Sequence, residues 1–398
     1  MRWLLALVLF LMSGTSALPD QNTTDAGRAL AQPYAQFGFD VLRDLTAKSP
    51  RANAFISPTS IAVALAMTAN GADGATRDAI LAALHSQGQS TTEFNAANRA
   101  LADQVARTTA VQLSMANAIW VQEGIAIEPA FRQTLQSEYG AEAENVDFRI
   151  PAAEHAINTW VAKHTNDRIR KLVENIAPST VAMLTNAIAF KGKWSIQFDA
   201  RETQPHDFTT AAGNTKKVPM MKHYGQYKYA NANGLETIRL PYADDTFAMY
   251  VVLPQDETRM RSFLDQLTSD SFTTIASSLA AQKGTIELPR FTLEYSATLN
   301  SVLTQLGMGA AFGSTADFRN ISKTPRLQIS EVRHASFLKV DEEGTEAAAA
   351  TSVGIRAAAV MVGPPPFHMV VDRQFFIAIR DERTGQVFFT GLIANPES

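Results

Sequence analysis

Val181 to Phe190 is apolar at both odd and even positions, and this run limits the possible folds more than any other feature of the chain. A strand with one face in water alternates between apolar and polar residues, so a run without alternation belongs to a central strand covered on both faces. The chain must therefore supply covering layers as well as a long sheet. None of its 398 residues is cysteine, which removes disulfides, thiol nucleophiles and thiolate metal sites and leaves apolar burial and hydrogen bonding to hold the layers together. At 46% hydrophobic and 19% charged residues, the composition is that of a globular chain, which at this length buries roughly three quarters of its unfolded surface. The 35 basic and 39 acidic residues leave a formal charge of −4, which excludes a general polyanion binder held by bulk electrostatics, and no nucleic-acid partner is expected.

The first half of the chain reads as helical. Leu30, Tyr34, Phe37, Val41 and Leu45 recur at steps of three or four, with Pro33 tolerated in the first turn. Ser57-Pro58 has the order of an N-cap and a first helical residue, and Ile61, Leu65 and Thr68 then share one face until Gly71. Asp73 to Leu84, Thr92 to Arg107 and a helix opened by Pro151, with Ile157, Trp160 and Val161 on one side, continue the series. Strands follow the period of two: Val111 to Val121, then Glu236 to Pro241, Phe247 to Leu253, Thr285 to Tyr295 and Leu327 to Val340. Phe375 to Ile379 and Gln386 to Thr390 form a closing pair around the turn Asp381 to Gly385. Helices early and strands late, with no repeat or linker between them, imply one α+β domain.

Arg2, the apolar run Trp3 to Met12 and the small residues Ser13 to Ala17 read as a secretory signal cut after Ala17. The run is well short of the ~20 residues a spanning helix needs. The expectation is a soluble domain of residues 18–398, exported to the extracellular space or a periplasm, with no membrane segment.

Motifs for catalysis are scarce. The chain has no Walker loop, no His-Glu-x-x-His, no Gly-x-Ser-x-Gly and no dinucleotide fingerprint, and its seven histidines stand singly. Ser336-Phe337-Leu338-Lys339 matches Ser-x-x-Lys in spelling, but in a strand Ser336 and Lys339 point to opposite faces and cannot cooperate. The unusual segment is Asp341-Glu342-Glu343-Gly344-Thr345-Glu346 followed by Ala347 to Ala350 and a mixed stretch to Gly363-Pro364-Pro365-Pro366. Its alanines suit a short surface helix capped by Thr345. They equally suit a long functional loop, whose small side chains would meet no steric barrier if it entered a sheet as a strand.

Four segments resemble the serpin family, the serine protease inhibitors that trap a protease by inserting a cleaved loop into a sheet. They are Asn53 to Ile61, Thr185 to Trp194, Val340 to Glu346 with the alanine tract, and Phe388-Phe389-Thr390-Gly391. The resemblance covers nearly all of the mature sequence. It implies helices packed on three β-sheets, an exposed reactive-centre loop at about 342–366, and a suicide-substrate inhibitor of serine proteases with no cofactor, no metal and no turnover of its own; a non-inhibitory binding or chaperone module is the alternative. Within the loop it implies a hinge made of Glu342, Gly344, Thr345, Glu346, Ala347, Ala348, Ala349 and Ala350, and a scissile bond between Ala358 and Ala359, with Arg356 and Met361 as alternatives. Ala358 would suit elastase- or subtilisin-like targets, Arg356 trypsin-like ones. Beneath the opening sheet it implies Ser57, Ser60, Asn186 and His334, and where insertion starts Trp194, Arg290 and Glu342, the last two as an ion pair. Thr92 to Arg107 carries only Arg99 and Arg107, too few cations for a glycosaminoglycan site, and a monomer is expected. Gly354 lies in the segment that would become a strand, where glycine is costly, and Gln374 replaces a proline frequent in the family.

Overall fold

The computed structural model describes residues 27–109, 111–345 and 365–397. The signal-peptide reading and the assignments to Glu346, Ala347, Ala348, Ala349, Ala350, Arg356, Ala358, Ala359 and Met361 therefore lie outside the described residues. Eight main helices are α1 Ala31–Lys48, α2 Pro58–Ala69, α3 Gly74–Ala83, α4 Thr91–Ala106, α5 Pro129–Thr134, α6 Ala152–His164, α7 Glu257–Asp265 and α8 Ser269–Ser278. The strands are β1 Ala54–Ile56, β2 Val111–Gln122, β3 Glu142–Val146, β4 Ala182–Lys193, β5 Gln204–Thr209, β6 Thr215–Ala232, β7 Leu235–Pro241, β8 Phe247–Pro254, β9 Ala280–Pro289, β10 Phe291–Thr298, β11 Glu331–Val340, β12 Gly344–Thr345, β13 Phe367–Val370, β14 Phe375–Asp381 and β15 Val387–Ile393.

Hydrogen bonding joins these strands into two ladders. One has the order β10-β11-β4-β2-β3, with β12 added on β4; the other runs β1-β15-β14-β8-β7-β6-β9-β13, with β5 on β6. The three sheets that the resemblance implies are thus connected as two. The 18-residue β6 is the reason: its first part pairs with β5, its middle with β9 and its end with β7.

The central strand β4 is covered as its sequence requires. Leu184, Ile188 and Phe190 face the main core, whereas Met183, Ala187 and Ala189 lie under Ile157 and Val161 of α6. Alanines at 116, 118, 187, 189 and 335 make that outer face shallow, so α6 can pack close to the sheet. The other cover is α2. All twelve of its residues are buried, as expected for a helix that is apolar all round, and it touches both β4 and β15. Ser57 caps it, its side chain accepting from Ser60 N–H, with Pro58 at the first helical position.

Two expectations change. The run Thr285 to Tyr295 is not one strand: Pro289 ends β9 in the larger ladder and β10 begins at Phe291 in the smaller. Apolar patterning carries through the junction because both strands are half-buried, so periodicity alone does not reveal the change of sheet. The strand expected from Leu327 begins at Glu331, Leu327 and Ile329 being buried without ladder pairing.

Helices α1 and α2 touch at Gly38, where an added Cβ would fall 2.2 Å from Pro58 Cβ and Cγ. Gly38→Ala should therefore push the two helices apart and destabilise the fold by about 1–3 kcal/mol, measured as a lower denaturation midpoint in urea with an unchanged slope.

Candidate functional site: a sheet seam and a loop hinge

Between β4 and β11 the pairing is parallel, from Glu331↔Met183 to Leu338↔Phe190. A row of polar side chains crosses this seam. Asn117 of β2 stands opposite Asn186 of β4, which stands opposite His334 of β11. All three are buried, together with Ser57 and Ser60 beneath them.

The hydrogen bonds fix how each group is used. Ser57 N–H donates to His334 Nε2 at 3.3 Å, so that nitrogen is the acceptor and carries no proton. The other ring nitrogen, Nδ1, then donates to Asn186 Oδ1 at 2.6 Å. The Asn186 amide nitrogen faces Ser60 O at 3.0 Å, Ser60 Oγ at 2.5 Å and Asn117 Oδ1 at 2.5 Å. Complete burial drives the His334 pKa down to about 3, consistent with a neutral ring that must keep one nitrogen free. Two residues nearer the hinge, Ser336 Oγ donates to Phe55 O at 2.7 Å. Ser336 is thus a structural hydroxyl, and Lys339, on the other face of the strand, pairs with Asp341 at 3.4 Å.

Above Leu338 and Phe190 the seam gives way to the hinge. Gly344 and Thr345 already pair with β4, antiparallel, opposite Lys193 and Gly192. This excludes the helix cap considered for Thr345. Gly344 has φ +142°, and an added Cβ would lie 2.2 Å from Gly192 O and 2.5 Å from Lys193 Cα; only glycine fits there. The turn before it is tied down on all sides. Trp194 Nε1 donates to Asp341 O at 2.9 Å, Trp194 N–H to Glu343 O at 2.9 Å and Phe198 N–H to Glu342 O at 2.8 Å. The Trp194 ring stacks on Tyr242 at 4.5 Å. Glu342 is buried, its Oε1 accepting from Thr203 Oγ1 at 2.7 Å and lying 3.5 Å from Arg290 Nη1.

The structure thus brings the expected residues into two groups: Ser57, Ser60, Asn186 and His334 at the seam, and Trp194, Arg290, Glu342 and Gly344 at the hinge. Sequence reasoning missed Asn117 and Thr203. Asn117 had a visible signal, an amide at an otherwise apolar position of the alternating strand Val111 to Val121. Thr203 had none, since it lies in the turn before β5 and reaches Glu342 across 139 positions of sequence.

A family model described as Serpin (serine protease inhibitor) matches residues 32–396. The chain belongs to the serpin family. It is 34% identical over 364 residues to an uncharacterized serpin-like protein of Thermococcus kodakarensis, covering 91% of this chain and 84% of that protein. It is also 34% identical to Iripin-2 of Ixodes ricinus, covering 92% and 93%. Among solved structures the thermophilic serpin tengpin in its native state superposes with a TM-score of 0.83 at 30% identity, over 92% and 93% of the two chains. Human thyroxine-binding globulin complexed with thyroxine superposes with a TM-score of 0.84 at 25% identity, over 94% and 100%. The serpin fold, with its helices and several sheets, is therefore shared with a protein that binds thyroxine as well as with other serpins.

Two outcomes follow from this geometry. Between about pH 6.5 and pH 3 the unfolded chain binds a proton at His334 that the native serpin does not. Stability present at neutral pH should therefore fall with acidification by about 1.4 kcal/mol per pH unit from this group. Melting temperatures from pH 7 to pH 5 check this, and His334→Gln should remove that part of the slope. Glu342→Lys places an ammonium beside Arg290 and strands the Thr203 hydroxyl, so it should lower the melting temperature and produce high-molecular-weight species on warming, read on a sizing column.

Proposed function

We propose that this serpin is a suicide-substrate inhibitor of serine proteases. Its loop is attacked by the catalytic serine, and the freed segment enters between β4 and β11 while the acylated protease is still attached. The observation that carries the reading is β12, which lies antiparallel on β4 at the top of the seam, where an entering strand would start. Continued downward, that strand would be antiparallel to β4 and, because β4 and β11 are parallel, antiparallel to β11 as well. One parallel ladder would be exchanged for two antiparallel ones, the more stable pairing per residue. Each added ladder bond contributes about 1 kcal/mol, so a dozen residues of insertion compare with the ~5–15 kcal/mol of a whole domain. Insertion would be effectively irreversible.

On this reading the hinge runs from Glu342 to Ala350 and the scissile bond is Ala358-Ala359, with Arg356 or Met361 as the other candidates for the residue presented. An alanine there fits elastase- or subtilisin-like proteases, an arginine trypsin-like ones. The protein acts outside the cytoplasm after cleavage at Ala17, as a monomer, without cofactor or glycosaminoglycan.

Incubation with elastase, subtilisin and trypsin should give a complex that survives boiling in detergent, and mass spectrometry of the released fragment identifies the bond. Chain nicked in the loop should melt well above intact chain. Nicked and intact chains melting together, with no stable complex, would refute inhibition and favour the alternative, a non-inhibitory binding or chaperone module.

A further inference from the structure

On the outer face of the smaller ladder a groove of about 700 Å³ runs between residues 166–171, which follow α6, and the strands β10 and β11. That volume suits a small organic ligand. The floor is the sheet itself. Ser296 stands opposite Ala335 and Glu294 opposite Phe337, and residues opposite one another in a ladder share a face. Ala335 and Phe337 belong to the outer apolar cluster that also holds Ile169 of the wall, so Glu294 and Ser296 look outward with them.

The wall is built to keep its shape. Thr165 Oγ1 accepts from Ile169 N–H at 3.1 Å, and Asn158 Oδ1 from Leu172 and Val173 N–H at 2.8 and 3.0 Å. Asn166 Nδ2 donates to Ser114 Oγ of β2 at 3.0 Å. Asn166 and Asp167 are both left-handed, at φ +52° and +59°, a costly pair for residues with a Cβ that persists only where the surroundings hold it. Through these bonds the wall is tied to α6 and β2, whereas the floor is β10 and β11. Wall and floor therefore lie on opposite sides of the seam between β4 and β11.

Two charges in the groove are left open. Arg170 makes only the bond from Nε to Asp167 O at 3.3 Å, and Glu294 makes no hydrogen bond or ion pair among the described residues. Lys171, by contrast, pairs with Glu174 at 2.8 Å. Arg170 and Glu294 line one groove without pairing with each other, so one occupant can engage both.

We propose that this groove is a binding site for a small amphipathic carboxylate. Its anionic end takes the Arg170 guanidinium in a forked, charge-assisted contact, its flat apolar body lies on Ala335 and Phe337, and a hydroxyl at its far end donates to Glu294. The Glu294 carboxylate would repel a polyanion laid along the same path. Because the ligand touches both sides of the seam, it would hold the seam closed; this consequence, unlike the site, rests on the inhibitory reading. A ligand bound only to the closed form slows opening by the factor 1 + [L]/Kd, about tenfold at ten times Kd.

A hydroxynaphthoate with its two polar groups at opposite ends of the rings carries all three features, naphthoate lacks the hydroxyl and naphthol the carboxylate. Followed by probe fluorescence, intact chain should bind the hydroxynaphthoate about tenfold more tightly than either relative. Arg170→Gln should reduce its affinity to that of naphthol and Glu294→Ala to that of naphthoate, both at an unchanged melting temperature, since both side chains are exposed. Equal affinity for the three probes, or binding that neither variant weakens, would overturn the site. Chain nicked in the loop and melting higher should lose the site, because an inserted strand parts wall from floor. Undiminished binding to such chain would overturn the closure of the seam. Nicked and intact chains that melt together and bind alike would mark failure of the inhibitory reading, and with it of the closure, while the two variants still decide the site.

Discussion

The parallel ladder between β4 and β11 is the contact on which the rest of the architecture depends. It joins two segments separated by more than a hundred residues, and every covering layer is arranged around it: α2 and the main core on one face, α6 on the other. A purely apolar seam would be held by the backbone ladder and packing, neither of which distinguishes one register from the next as a matched polar row does. The row Asn117, Asn186 and His334, bonded to Ser57 and Ser60, pins its register, because each buried polar group has one arrangement in which it is satisfied. The same row would oppose opening, since parting the strands breaks the His334 to Asn186 bond before any replacement forms.

Where that row ends, the backbone takes over. The turn at residues 341–344 is held by carbonyls bonded to Trp194 and Phe198 and by the Glu342 carboxylate beneath Thr203. Gly344 is required by space and by φ together, because its α-carbon rests against the backbone of β4. The hinge is therefore anchored as an antiparallel stub on β4, and the polar seam lies directly below it.

Much of this was legible in the sequence because it depends on local pattern. Apolar residues on both parities gave β4 its central place and Ser57-Pro58 announced α2, whereas the hinge at Gly344 followed from the serpin resemblance alone. Long-range relations were legible only through the resemblance, as for Arg290 and Glu342. No spacing reveals that Thr203 meets Glu342, that the chain changes sheet between Pro289 and Phe291, or that β6 runs through regions expected to be separate sheets. Those features arise from two segments meeting in space, and periodicity describes one segment at a time. Gln374 gains a meaning only in the structure: its amide donates to Pro50 O at 3.2 Å, tying the start of β14 to the turn after α1, a bond a proline side chain could not make.

The outer cover bears on the speed of any rearrangement at the seam. Helix α6 is held over β2 and β3 by Trp160 Nε1 donating to Glu142 at 2.8 Å and by the edge-on contact of Trp160 with Trp120, whose own indole N–H is bonded to Thr185 of β4. Ala187 and Ala189 of β4 share an apolar cluster with that helix and add little bulk to it. The cover is thus fastened toward β2 and β3, away from the seam between β4 and β11. A strand entering at the seam would meet a helix able to lift on the seam side while it stays attached at the far edge. The attachment of α6 at the far edge, as much as the polar latch, then bears on how readily the sheet accepts another strand.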